Sequence, residues 1–263
     1  MGGIFDLPSY AAFCSLMAVI AVYSSKGGVG KTTMAVDLAW RCAVLGGRRT
    51  LLWDLDVQSG AGYLLGLDED TRMRAASVFQ REGRPDQLIA PTPFENLSLL
   101  SADDSLRALP MHLARLGQKK RLANLTATLK RDYARIVLDC PPMQNEVSEQ
   151  ILAAADVVIV PLPASPLASR ALDLLRRDLM RHSGRHPPLL PVLSMYDARR
   201  KGHRLAREGR MAPFPVVPMA SMIEQTAFRR APIGTFAPKC EPALALERLW
   251  RAIEVKLQDA GVA

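Results

Sequence analysis

The chain is poor in the residues that staple small folds or cage metals. Its 263 residues include four cysteines, Cys14, Cys42, Cys140 and Cys240, and no two form a C-x-x-C pair, so spacing offers neither a zinc cage nor a c-type haem site. Glycine and proline together number 36, about 14% of the chain and well below the ~25–30% of low-complexity sequence. No internal repeat and no linker rich in Gly, Ser or Pro divides it. No apolar run reaches the ~20 residues that cross a membrane. The nearest, Tyr10 to Ser24, has no Lys or Arg before it and runs into a glycine-rich loop instead of a cleavage site, which argues against a signal peptide. Its second half reads as a buried strand, and Met17 offers a second start, with residues 1 to 16 as an N-terminal extension. What remains is a reduced chain able to pack a core, 49% hydrophobic and 23% charged.

Buried parallel strands read as short continuous apolar runs and helices as longer periodic stretches. Such runs occur at 18–23, 50–53, 97–100, 134–138, 157–160, 189–193 and 214–217, and periodic stretches at 31–44, 106–129, 146–154, 165–180, 199–208 and 242–257. The alternation predicts an α/β fold: one domain over 17–263, with a doubly wound, mostly parallel sheet flanked by helices. Ligands bind at the carboxyl ends of strands in such sheets, which directs attention to the loops after Tyr23, Trp53, Leu138 and Leu193.

The first of these loops reads Ser25-Lys26-Gly27-Gly28-Val29-Gly30-Lys31-Thr32-Thr33. It is a phosphate loop of the G-x-x-x-x-G-K-[ST] kind, with Ser25 in the place of the first glycine. Glycines let successive N–H groups turn inward around phosphate oxygens, and the helix N-terminus adds its positive dipole end. Lys31 then neutralises the β and γ phosphates of ATP, and Thr32 offers its hydroxyl to Mg²⁺. After the second run, Asp54-Leu55-Asp56 puts two carboxylates on one side of a strand end, donors suited to Mg²⁺ and an attacking water. Asp54 fits a polar cap on the strand better than Asp56 does. The fourth run ends in Asp139-Cys140-Pro141-Pro142. Its aspartate is a further Mg²⁺ ligand and its thiol reads as inert. The two prolines fix the chain as it leaves the sheet, so the next segment is a candidate γ-phosphate switch.

Lys26 has no place in the ordinary phosphate loop. With it, Lys26-Gly27-Gly28-Val29-Gly30-Lys31-Thr32-Thr33 resembles the deviant Walker A box of the ParA/MinD family of P-loop ATPases. The segment Asp54-Leu55-Asp56-Val57-Gln58 is similar to the family's Asp-x-Asp-x-Gln box, with Val57 where proline is usual, and the Asp139 segment resembles its Walker B strand. Ser194-Met195-Tyr196-Asp197-Ala198-Arg199 resembles the stretch beside the adenine, and Val217-Pro218-Met219-Ala220 stands where the family has Ile-Pro-Arg-Asn, without the Arg-Asn pair. The resemblance covers Ala18 to about Leu257. It implies that Lys26 acts in trans across an ATP-sandwich homodimer, beside catalytic Lys31 and Asp56, the latter orienting water. It further implies nucleotide contacts from Lys26 through Thr33 and at Met195 and Pro218, and Mg²⁺ held by Thr32, Asp56 and Asp139.

The net charge is +8, and Arg176 to Arg210 holds ten basic against three acidic residues, a net of +7. Arg199, Arg200, Arg204 and Arg207 are candidate DNA contacts, with 200, 204 and 207 on one face of a helix starting near Arg199. A stripe without interleaved aromatics suits phosphate-backbone contacts, which position without reading sequence. The resemblance implies non-specific DNA binding by the ATP-bound dimer and slow hydrolysis that drives DNA partitioning. A ParB-like activator or cargo adaptor and a cytoplasmic, nucleoid-associated setting follow from it. The alternative is a MinD-like positioning ATPase for a protein cluster. However, Leu246, Leu249, Trp250, Ile253 and Leu257 read as a docked helix, and the tail 259–263 adds no basic apolar anchor, so a membrane partner is not expected. A third possibility is a metabolic P-loop enzyme, a dethiobiotin-synthetase-like ligase or an iron-protein-like reductase, the latter short of a second cysteine ligand.

Overall fold

The computed structural model describes residues 17–68, 75–80, 84–116, 120–142, 146–181 and 186–259. The N-terminal extension and the switch expected directly after Pro142 lie outside them. All seven apolar runs form strands, and an eighth joins them in one sheet. The strands are β1 (Ala18–Val22), β2 (Thr50–Asp54), β3 (Ile89–Pro91), β4 (Leu97–Leu100), β5 (Arg135–Asp139), β6 (Val157–Leu162), β7 (Leu189–Tyr196) and β8 (Val216–Pro218). Their order is β3-β4-β2-β5-β1-β6-β7-β8. Every pairing is parallel except that of β3 with β4. The strand that sequence patterning missed is β3, three residues at the sheet edge ending on Pro91. So short an edge strand carries too few residues to show an alternation, and its proline blocks further pairing.

Ten helices accompany the strands among the described residues: α1 (Lys31–Trp40), α2 (Gly60–Leu64), α3 (Leu109–Leu116), α4 (Arg121–Leu129), α5 (Glu146–Ala154), α6 (Pro166–Arg181), α7 (Lys201–Glu208), α8 (Ser221–Arg229), α9 (Ile233–Phe236) and α10 (Glu241–Asp259). They cover both faces, which is why the central strands are apolar throughout instead of alternating. On β1, Val19 and Ala21 point into a core shared with α3 to α6, while Ala18, Ile20 and Val22 point into one shared with α1 and α10. The stretch expected as one helix over 106–129 is a 3₁₀ turn at Asp104–Ala108 followed by α3 and α4. Likewise, α1 gives way to a π-helical turn at Arg41–Leu45, and α2, α8 and α9 were not foreseen.

The C-terminal helix docks as expected, burying Leu246, Leu249, Trp250, Ile253 and Leu257. It is also pinned by charge. Glu254 accepts from Arg135 Nε at 3.0 Å and Nη2 at 2.6 Å, and pairs with Arg48 at 3.0 Å. The carboxylate and Arg135 are both buried. In the π turn, Arg41 is buried and donates to Asp37 at 2.5 Å and to the Ala243 carbonyl at 3.0 Å. Removing one partner of a buried pair strands the other charge, at about 3–5 kcal/mol, whereas a half-exposed pair is worth at most ~1 kcal/mol. Urea denaturation is therefore expected to show a loss of that larger size for Glu254→Ala and a small one for Arg107→Ala, whose pair with Asp104 is exposed on both sides. Equal losses would show that burial does not set the strength of this lock.

Candidate nucleotide-binding site

The sheet register sets the site. At the carboxyl ends of β1, β5 and β2, Val22 pairs with Asp139 and Asp139 with Asp54. From Val22 the chain turns through the glycine-rich loop into α1. Gly28 and Gly30 have φ of +66° and +81°, and Gly30 is the N-cap of α1, so both hold left-handed backbone that a Cβ would strain. A Cβ at Gly27, Gly28 or Gly30 would meet nothing within 4 Å, so the space over the loop is open. Lys31 is buried, and its ammonium donates to the Lys26 carbonyl at 3.3 Å, folding its charge back across the loop. Open backbone N–H groups at a helix N-terminus with a buried lysine make an anion site.

Each carboxylate has a distinct environment. Asp54 is fully buried and accepts from the Asp56 N–H at 2.9 Å and the Ala61 N–H at 3.1 Å, so it caps β2 and shapes the loop into α2. Burial pushes its pKa well up, and the Asp139 charge adds to the shift. Asp56 is half-buried and accepts from the Gln58 N–H at 3.1 Å. Asp139 is fully buried, and neither carboxylate oxygen has a hydrogen-bond partner among the described residues. Burial pushes its pKa up to about 7; the neighbouring Thr32 hydroxyl and Lys31 ammonium draw it down, while Asp56 raises it.

A buried carboxylate left unpaired is costly and asks for a partner. Thr32, Asp56 and Asp139 supply oxygen donors only, the set that suits Mg²⁺. Among the described residues no three His, Cys, Asp or Glu side chains group to hold a metal. Cys140 is buried, donates to the Leu138 carbonyl at 3.5 Å and has its thiol pKa raised by burial, which makes it inert.

Beside the start of α1 lies a cleft with about 510 Å³ of free space, open to solvent, lined by Gly30, Thr33, Ser194, Met195, Pro218 and Glu224 among others. Met195 and Pro218 thus stand across from the phosphate loop, as expected. Met195 has φ +53° and sits in an irregularity of the β7–β8 pairing, a strained position of the kind that collects at functional sites. Ser194 stands at the head of the stretch quoted with Met195, whereas the α8 residues Ile223 and Glu224 were missed, because no short motif marks them.

The AAA domain family profile matches residues 17–183. A chromosome partitioning protein ParA from Myxococcus xanthus is 34% identical over 200 residues, covering 73% of this chain and 70% of its own. Another from Caulobacter vibrioides is 28% identical over 258 residues, covering 92% and 96%. The chain belongs to the ParA/MinD family of P-loop ATPases. Among solved structures, cobyrinic acid a,c-diamide synthase from Mycobacterium smegmatis with bound ATP analog and magnesium superposes with a TM-score of 0.78 at 27% identity, over 94% of this chain and 97% of that one. A septum site-determining protein MinD from Pyrococcus horikoshii, complexed with Mg-ADP, shares the fold at 22% identity, with a TM-score of 0.74 over 90% and 96%.

In this ParA/MinD-family chain the basic segment is arranged differently from the expected stripe. Arg200 precedes α7 as its N-cap in extended backbone, so it does not share a helical face with Arg204 and Arg207. Arg207 is half-buried, with its guanidinium 5.8 Å from the centre of the Tyr196 ring. Arg199, Arg200 and Arg204 are exposed. Arg199 forms a two-pronged pair with Asp197 at 2.9 and 3.0 Å, and Arg204 donates to the carbonyls of Ala198 and Arg199 at 2.9 and 3.0 Å. No helix among the described residues is long and apolar enough to cross a membrane.

Asp139 gives the nucleotide-free protein a pH signature. Folded Asp139 keeps its proton up to about pH 7, whereas an unfolded aspartate releases it near 4. Across that window the folded state binds more protons, so stability falls as pH rises. The urea midpoint of the nucleotide-free protein is expected to be lower at about pH 8 than at about pH 5, and Asp139→Asn to reduce the difference, the raised Asp54 and Asp37 carboxyls keeping their share. An unchanged slope in that variant would place the titration elsewhere.

Proposed function

We propose that the chain is a partition-type ATPase, with 17–263 as one ATPase domain. Two copies close on two ATP molecules, the closed dimer holds DNA without reading its sequence, and slow hydrolysis releases it. One observation carries the reading: the phosphate loop holds two lysines in different states. Lys31 is buried and turned into its own loop, while the half-buried Lys26 has no ion-pair partner among the described residues. A lysine so placed can reach phosphates held by a second copy, and loss of the γ-phosphate then weakens the bridge between subunits.

The geometry and the family resemblance together support a set of roles. Backbone N–H groups from Gly27 to Thr33 cradle the phosphates, and Lys31 neutralises the β and γ groups. Thr32, Asp56 and Asp139 would hold Mg²⁺, which when bound offsets charge on the phosphate oxygens. Asp56, accessible where Asp54 and Asp139 are not, orients the attacking water. Met195 and Pro218 flank the adenine. Arg200 and Arg204 present charge outward to DNA phosphates, and Arg199 joins them on exchanging its Asp197 partner for phosphate. The naming of the relatives as chromosome partitioning proteins supports this target over a protein cluster. A ParB-like activator or cargo adaptor and a cytoplasmic, nucleoid-associated setting belong to the same proposal, as the family resemblance implies.

Lys31→Ala is expected to abolish ATP binding in a calorimetric titration, and retained tight binding would refute the loop assignment. Asp56→Ala is expected to bind ATP yet accumulate as a dimer without turnover, so normal phosphate release would contradict its role. Replacing Arg200 and Arg204 together by Glu is expected to abolish DNA retention at low salt with ATP turnover intact. Replacing either one alone by Ala is expected to flatten the salt dependence of DNA binding by about one unit for the phosphate it no longer neutralises. Wild-type protein that turns over ATP but never retains DNA would favour the positioning ATPase, and turnover that requires a small carboxylic acid would favour the ligase.

A further inference from the structure

The nucleotide cleft and the basic helix meet at one dipeptide. Met195 walls the cleft, and the next residue, Tyr196, is half-buried against the core below α3 to α6. The ring of Tyr196 meets two residues from one face of α7. The His203 ring lies 5.9 Å away, and the Arg207 guanidinium lies 5.8 Å from its centre. Residues 203 and 207 are one helical turn apart and share a face, so this is the face that α7 turns toward the domain. The backbone continues the clasp: the Asp197 N–H donates to His203 Nδ1 at 3.0 Å, and the Tyr196 carbonyl accepts from the Met219 N–H at 2.8 Å, directly after the cleft residue Pro218.

Otherwise α7 is held loosely. It has no buried residue, and beyond its end Arg210 pairs with Asp173 of α6 at 2.9 and 3.1 Å, an exposed pair of small worth. A helix without buried residues sits at the low-stability end of a structure, where small changes at its few contacts shift its position. Met195, on the other side of the dipeptide, is in left-handed backbone at φ +53°, a conformation that nucleotide packed against it can relieve or reinforce.

We infer that Tyr196 is a positioning residue that couples occupancy of the nucleotide cleft to the placement of α7 and its arginines, because its backbone is continuous with the cleft wall at Met195 and its ring is clasped by His203 and Arg207. The inference rests on nucleotide binding in that cleft, as proposed above, and adds how the site would be read out. Both sites bias one element, which is the physical requirement for coupling.

Hydrogen exchange of the α7 amides in the full chain tests it, with the protein empty, with ADP, and with a non-hydrolysable ATP analogue, each nucleotide with Mg²⁺. Wild-type α7 is expected to exchange at rates that depend on which nucleotide is bound. Tyr196→Phe, which keeps the ring, is expected to retain that dependence, and Tyr196→Ala to lose it while still binding both nucleotides. His203→Ala removes the ring that α7 sets beside Tyr196 and is expected to give the same loss, which keeps the test open should Tyr196→Ala fail to fold. Exchange that ignores nucleotide in a wild-type chain that binds it, or a dependence that survives both alanine variants, overturns the coupling and leaves the ATPase reading standing. A wild-type chain that binds neither nucleotide overturns that reading and the coupling with it.

Discussion

Two aspartates held in register at the ends of adjacent buried strands set the terms for the whole site. Asp54 and Asp139 are neighbours across β2 and β5, both out of contact with solvent, where like charges repel strongly. The fold resolves the conflict asymmetrically. Asp54 receives two backbone N–H groups and becomes part of the scaffold. Asp139 receives none and is left wanting a cation. That unsatisfied carboxylate, beside the phosphate loop's buried Lys31, turns the mouth of an ordinary parallel sheet into a place where a metal-bound phosphate is stabilising.

The rest of the fold holds that pair in place. β1 lies between β5 and β6 and sends alternate side chains into two cores, so the loop that follows it starts from a point fixed on both sides. α10 reinforces β5 from the opposite end, since Glu254 binds Arg135 at that strand's first residue and Asp139 is its last. Packing and ion pairing at the base of the strand thus bear on the geometry at its tip. By contrast, α7 carries charge outward on few contacts. A rigid centre and a lightly held basic helix suit a protein whose surface charge must be rearranged by what sits in its site.

Much of this was legible in the chain. The central strands declared themselves as unbroken apolar runs because helices cover both of their faces, and the phosphate loop did so because left-handed backbone at Gly28 and Gly30 demands glycine. Asp54, Asp56 and Asp139 stand where strands end, and Asp54 caps its strand by accepting two backbone N–H groups. What sequence could not show was set by tertiary context. β3 is too short to have a pattern. Arg200 and Arg207 fit a helical stripe by spacing, but an extended N-cap and the ring of Tyr196 place them otherwise. Ser194 and Glu224 reach the cleft only because β7 and α8 converge there.

With Asp139, Thr32 and Asp56 proposed to hold Mg²⁺, nucleotide affinity is expected to depend on a divalent cation. Calorimetric titration of the wild-type chain with ATP, in Mg²⁺ and again in EDTA, measures that dependence. Tight binding with Mg²⁺ is expected, and a loss of at least about tenfold without it, a difference of ~1.4 kcal/mol or more. Equal affinity in both conditions would contradict it.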